Sequence, residues 1–126
     1  MALATSSQTI DLEHVLVTNT DVDNTADLDL MGGACKLYNI EIDNTTGGGS
    51  AAEAFVKLYD SGTVTVGTTD PVYIFIAPSN KIVQYTIPDG ATFAAALSIA
   101  ATQTSGTAGT TDVSHTLKAK LLCEKT

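Results

Sequence analysis

Apolar and polar residues alternate with a period of two over much of this chain, the pattern of strands that bury one face. Cys35 to Asp43 shows it most plainly, with Tyr38, Ile40 and Ile42 expected inward and Asn39, Glu41 and Asp43 outward. In a second strand, Ala52, Ala54, Val56 and Leu58 share one face. Glu53, Phe55, Lys57 and Tyr59 oppose them, mixing charge with aromatic rings as an interface rim does. From Ser114 to Glu124, His115, Leu117, Ala119, Leu121 and Cys123 face one way, and only Leu122 breaks the phase of the other side. Two shorter strands are expected at His14 to Thr18 and around Leu28 and Leu30, the second closed by Gly32 and Gly33.

Residues 71–101 hold three apolar runs separated by two turn signals, which predicts a three-stranded antiparallel meander. Pro78 and Asn80 mark the first turn, and Pro88, Asp89 and Gly90 the second. Ala91 to Ala101 is alanine-rich enough for a short helix, but Phe93, Ala95, Leu97, Ile99 and Ala101 keep strict alternation, so a strand is expected. The first run is apolar on both faces: Val72, Ile74 and Ile76 on one, Tyr73, Phe75 and Ala77 on the other. A half-buried strand is polar on one face. Either this strand is covered twice within its own domain, or another chain covers its second face, and the second reading is favoured.

Polar loops rich in Gly, Thr, Asn and Asp fill the gaps at 19–26, 44–50, 60–70 and 102–112, the third with a possible short strand at Val64 to Val66. Gly-Thr-Thr-Asp occurs at 67–70 and again at 109–112, which is shared turn chemistry rather than a repeat. The tally is about eight strands in an all-β, single antiparallel β-sandwich over residues 11–126, jelly-roll-like or immunoglobulin-like. Residues 1–10 are expected to form a flexible N-terminal arm.

Length adds that 126 residues make one domain, with no room for a separate catalytic one. Charged residues are 16% of the chain, below the roughly 25% usual in soluble domains. Much of the surface is therefore Thr, Ser, Asn, Gly and Ala, which suits close contact with neighbours. The net charge of −8, from 14 acids against 6 lysines with no arginine, argues against nucleic acid and against an anionic membrane surface. No apolar run approaches the roughly 20 residues of a membrane helix, and MALATSSQT lacks the features of a secretory signal.

Candidate chemistry is sparse. Cys35 and Cys123 match no zinc spacing and are expected as two small buried hydrophobes, with a bridge between them left open. Asp21, Asp23, Asn24, Asp27 and Asp29 offer oxygen ligands of the kind calcium takes, but their order is not that of an EF-hand and a solvated acidic loop is favoured. No nucleophile elbow, phosphate loop or zinc-protease helix is present. Asp112, His115 and Cys123 would make a nucleophilic set only if the last two met, and along one regular strand they lie roughly 26 Å apart. Asn44-Thr45-Thr46 fits a glycosylation sequon but is expected to be a plain loop. Sugar binding is disfavoured by the absence of Trp. No catalytic residue and no cofactor is expected.

The segment KLYDSGTVTV, followed by GTTDPVYIFIAPSNKIVQYTIPDGATFAAALSIAATQTSGTAG, resembles small structural proteins of tailed bacteriophages. Leu58, Tyr59, Asp60, Gly67, Thr68, Pro71, Gly90, Phe93, Leu97 and Ile99 carry the resemblance, over roughly residues 57–109. Ala96 departs from the family's usual glycine before the leucine of the small-residue run. The resemblance implies a non-enzymatic, β-sandwich component of the virion, made in the host cytoplasm. A capsid decoration or cement protein that stabilises the shell is the first expectation, with the major capsid protein or other virion proteins as partners and homo-oligomers formed. A tail, neck or fibre component is the alternative, and a calcium- or carbohydrate-binding sandwich a further one. Phe55, Tyr59, Tyr73 and Phe75 are the expected interface anchors, because aromatic side chains dominate interface energetics.

Overall fold

The computed structural model describes residues 14–47 and 51–126, which hold seven strands and, among the described residues, no helix. In chain order they are β1 (His14–Asn19), β2 (Cys35–Asp43), β3 (Ala54–Asp60), β4 (Tyr73–Ala77), β5 (Ile82–Phe93), β6 (Leu97–Thr102) and β7 (Lys118–Lys125). They form two antiparallel sheets, ordered β1-β7-β2-β5 and β4-β3-β6. The all-β sandwich is as expected, with seven strands rather than about eight. The arm expected over residues 1–10 lies outside the described residues, as do residues 48–50 of the glycine loop.

Apolar side chains from both sheets meet between them. Leu37, Ile40 and Ile42 of β2, Leu121 of β7 and Phe93 of β5 face Val56 and Leu58 of β3 and Leu97 and Ile99 of β6, all fully buried. A buried residue of this size contributes about 1.5–3 kcal/mol by leaving water, so alternating strands stack in this way spontaneously.

Several sequence expectations fail, each for an identifiable reason. Leu28 and Leu30 form no strand; Asp27 makes an isolated bridge to Ile99 and the Leu30 N–H donates to the Leu97 carbonyl, so the segment lies along the outer edge of β6. Tyr38 points outward. Leu37 and Ile40 are both buried although three residues apart, and a bulge reconciles them: Leu37 pairs with Cys123, but Asn39 pairs with Leu122. The bulge leaves the Tyr38 ring half-buried, its hydroxyl donating to Glu124 Oε2 at 3.1 Å.

The third is the meander, which does not form. β4 belongs to one sheet, β5 to the other, and β6 returns to the first. Residues 78–81 carry the chain across the sandwich, with Asn80 in the left-handed region at φ 57° as its position in the turn suggested. Pro88-Asp89-Gly90 does not separate two strands. It swells the inside of one, since Leu37 to Asn39 on β2 spans Ala91 to Thr86 on β5. Gly90, at φ 77°, lies beneath Tyr38, where an added Cβ would come within 2.9 Å of the ring.

The second crossing, Ala94 to Ala96, breaks the strand expected across residues 91–101. Asp60, at the end of β3, holds it in place. Its carboxylate accepts the N–H groups of Ala94 at 3.2 Å, Ala95 at 2.8 Å and Ala96 at 3.3 Å. These bonds, that to Ala95 foremost, pull the Asp60 pKa below the ordinary aspartate value.

Candidate functional site

β4 is an edge strand with a neighbour, β3, on one side only. Its two faces have different fates. Tyr73, Phe75 and Ala77 turn toward the other sheet, where Ala77 is buried and Phe75 packs on the core. Tyr73 stacks on Phe75 with centroids 6.0 Å apart, Phe75 meets Tyr85 of β5 at 4.8 Å, and Tyr73 meets Phe93 at 6.2 Å. The Tyr85 hydroxyl also donates to the Ile76 carbonyl at 2.6 Å. Four rings thus fasten the edge of one sheet to the edge of the other. The opposite face, Val72, Ile74 and Ile76, is 51%, 40% and 47% exposed.

Natural edge strands are commonly blunted by charge, proline or a bulge. From Val72 to Ile87 the only charged residue is Lys81, in the turn. Pro71 and Pro78 bracket β4 but neither lies within it. The flank is therefore a short, uncharged, apolar edge on a chain of net charge −8.

Of the four expected anchors, Tyr73 is 39% exposed, Phe55 and Phe75 are half-buried, and Tyr59 is fully buried. Tyr59 is therefore no surface anchor. It shares the outer face of β3 with Lys57, which is also fully buried. Lys57 Nζ donates to the Gly109 carbonyl at 2.8 Å, and the Ser98 hydroxyl donates to the Ser61 carbonyl at 2.6 Å. Gly67 packs so closely on Thr110 that a Cβ there would sit 2.4 Å from the methyl carbon. The two Gly-Thr-Thr-Asp tetrads therefore touch, and the rim expected from Glu53, Phe55, Lys57 and Tyr59 is half roofed over. Burial lowers the Lys57 pKa and raises that of Tyr59, whose hydroxyl has no hydrogen-bond partner.

The outward strip Val72, Ile74 and Ile76 is the part sequence reasoning missed. Alternation marked both faces of the strand as apolar but did not say which the domain would cover. The signal was in β5, where Val83, Tyr85 and Ile87 alternate with Gln84 and Thr86 and offer Phe75 an aromatic partner.

Most of the other candidates carry structural tasks; of Asp21, only the backbone N–H is tied, donating to Asn19 Oδ1 at 3.1 Å. In the acidic loop, Asp27 Oδ2 accepts from Asn19, Asp23 Oδ1 from the Thr25 N–H and Asp29 Oδ1 from the Gly33 N–H. Asn24 is tied to Asp112 and to the Thr110 carbonyl. No group of three or more His, Cys, Asp or Glu that could hold a metal occurs among the described residues. Cys35 and Cys123 are free, buried thiols on adjacent strands. Burial, then the proximity of Cys35, pushes Cys123 up to about 12. Asn44 is fully buried, its amide donating to the carbonyls of Ala52, Ala77 and Pro78 at 3.0, 3.0 and 3.1 Å, and its Oδ1 meets His115 Nε2. The sequon is thus a cross-tie between loops rather than an acceptor.

On the outer face of the four-stranded sheet, a shallow cavity of about 290 Å³ is lined by Thr18, Thr20, Glu41, Asp43, Lys118 and Lys120. Glu41 lies in register with Lys120 and Asp43 with Lys118, so its charges compensate across the strands.

The chain matches no family model and no curated protein. Seven of the ten residues on which the expected likeness to phage proteins rested have architectural tasks here: Leu58, Phe93, Leu97 and Ile99 in the core, Asp60 at the crossing, Gly67 and Gly90 at close approaches.

Proposed function

We propose that this chain is a structural subunit of a bacteriophage particle, a capsid decoration or cement protein that stabilises the shell by binding protein neighbours. The observation that carries this reading is the apolar edge of β4, uncharged and paired on one side, in a domain whose other polar clusters serve its own loops. A surface low in charge and rich in Thr, Ser and Gly supports it, as it lets neighbours approach without stripping water from many ions. The major capsid protein is the first partner, other virion proteins the next; Tyr73 and Phe75 back the contact face from beneath, and Phe55, in register with Ile76, extends it onto β3. No residue is assigned a catalytic role and no cofactor is invoked.

The test is co-sedimentation of the purified chain with expanded capsids, and with tails, of the phage whose genome encodes it. Saturable binding to capsids at fixed copy number, weakened by Ile74→Asp, is expected. Binding to tails alone would move the protein to the tail, neck or fibre, and binding to neither particle would end the reading.

A further inference from the structure

We infer that Ser114 is an activated nucleophile, a modification site at which an activated ester or thioester leaves its acyl group. The inference goes beyond the particle reading, and neither depends on the other. It starts from Asn44, which is fully buried. Its side-chain nitrogen lies 3.0, 3.0 and 3.1 Å from the carbonyl oxygens of Ala52, Ala77 and Pro78. Only an NH2 group suits three acceptors, so a single orientation of the amide fits and its oxygen is the atom that meets His115 Nε2. That oxygen can only accept. Nε2 therefore carries the ring proton, and Nδ1 of the neutral imidazole carries the lone pair. Ser114 Oγ lies 3.0 Å from Nδ1, so its O–H donates there. An amide oxygen, an imidazole and a hydroxyl thus stand in one chain, the array that draws the proton off a serine as it attacks a carbonyl carbon.

The pair is held from both sides. Just before it, Asp112 Oδ1 accepts the Asn24 N–H at 3.1 Å and the Val113 N–H at 2.8 Å. Just after it, the Thr116 carbonyl accepts the Thr46 hydroxyl, and the Leu117 carbonyl accepts the Val22 N–H at 2.8 Å. Asn44 is buried, His115 half-buried and Ser114 exposed, so the base is fixed while the nucleophile is open to a reagent. Charge narrows the donor. The tied carboxylate of Asp112 stands two residues away on a chain of net charge −8, which disfavours phosphate and other anionic donors and leaves uncharged acyl groups. In the step, Oγ bonds to the acyl carbon as the bond to the leaving alcohol or thiol breaks. The Oγ proton passes to Nδ1 and from there to the leaving oxygen or sulfur.

The probe is p-nitrophenyl acetate on the full chain, read by peptide mass spectrometry before and after neutral hydroxylamine, which removes serine esters and spares lysine amides. Ser114 is expected to acetylate roughly 100-fold faster than Ser61 or Ser79, whose hydroxyls donate to backbone carbonyls; that is the low end of what a positioned base supplies. His115→Gln keeps an amide N–H for Asn44 but offers Ser114 no base, and should bring the rate down to that of the other serines. NMR of the imidazole nitrogens in the unsubstituted chain should show the Nε2–H tautomer at His115. Acetylation of Ser114 no faster than that of Ser61 and Ser79 would overturn the inference. So would an undiminished rate in folded His115→Gln, or the Nδ1–H tautomer in the unsubstituted chain. Where His115→Gln does not fold, the two measurements on the unsubstituted chain decide. None of these results bears on capsid binding, which co-sedimentation tests separately.

Discussion

Replacing Asp60 with alanine removes the acceptor for three consecutive N–H groups where the chain crosses from one sheet to the other. The 2.8 Å bond from Ala95 is charge-assisted and short; those from Ala94 and Ala96, at 3.2 and 3.3 Å, are longer and weaker. Hydrogen bonds to charged groups contribute roughly 1.5–3 kcal/mol each, and water replaces part of this at a half-exposed position, so the three together are worth about 2–3 kcal/mol. For a domain of this size that lowers Tm by about 6–12 °C. Urea unfolding is the assay: the midpoint should fall at unchanged m. Acid adds a signature. Because the folded Asp60 pKa is depressed, its stabilisation is complete above the unfolded value near 3.8 and disappears as pH falls through the folded value. The gap between wild type and Asp60→Ala should therefore narrow below pH ~4, while Asp60→Asn, which keeps an acceptor oxygen, should lose about half as much at neutral pH. A loss under ~0.5 kcal/mol at pH 7, or a gap that survives unchanged at pH ~2.5, would refute the assignment.

Other substitutions probe the remaining ties. Tyr59→Phe removes a buried hydroxyl that has no partner, and should leave stability unchanged or raise it by about 1 kcal/mol in thermal unfolding, whereas a clear loss would reveal a bond the hydroxyl makes. Asn44→Ala strips three carbonyls of their donor and His115 of its partner, with an expected cost of about 3–5 kcal/mol in urea unfolding. Both thiols should resist a dithiobis-nitrobenzoate reagent in the native protein at pH 8 and react fully in denaturant, since burial raises both pKa values.

The core was legible where alternation ran unbroken. Leu117, Ala119, Leu121 and Cys123 are buried as their spacing predicted, and so are Ala54, Val56 and Leu58. Reading failed where the period shifted. The bulge at Tyr38 inverts that side chain, and nothing local distinguishes it from a regular strand until Leu37 and Ile40 are both seen to be buried. Pro88-Asp89-Gly90 has the composition of a hairpin turn, and only the pairing of β5 with β2 on both sides of it shows a swelling within one strand. Sheet membership was the largest gap. Turn residues announce that the chain reverses, but whether it returns to its neighbour or crosses the sandwich depends on distant groups such as the Asp60 carboxylate. Lys57 was misplaced for the same reason, since the Gly109 carbonyl that receives its ammonium comes from elsewhere in the chain.

β7 lies between β1 and β2, although it is the last of the seven to leave the ribosome. Until residues 118–125 emerge, the two strands on either side of it have no common partner, and half the sandwich cannot close. Closure of this sheet thus waits on β7, and a chain clipped before residue 118 leaves β1 and β2 without the strand that joins them.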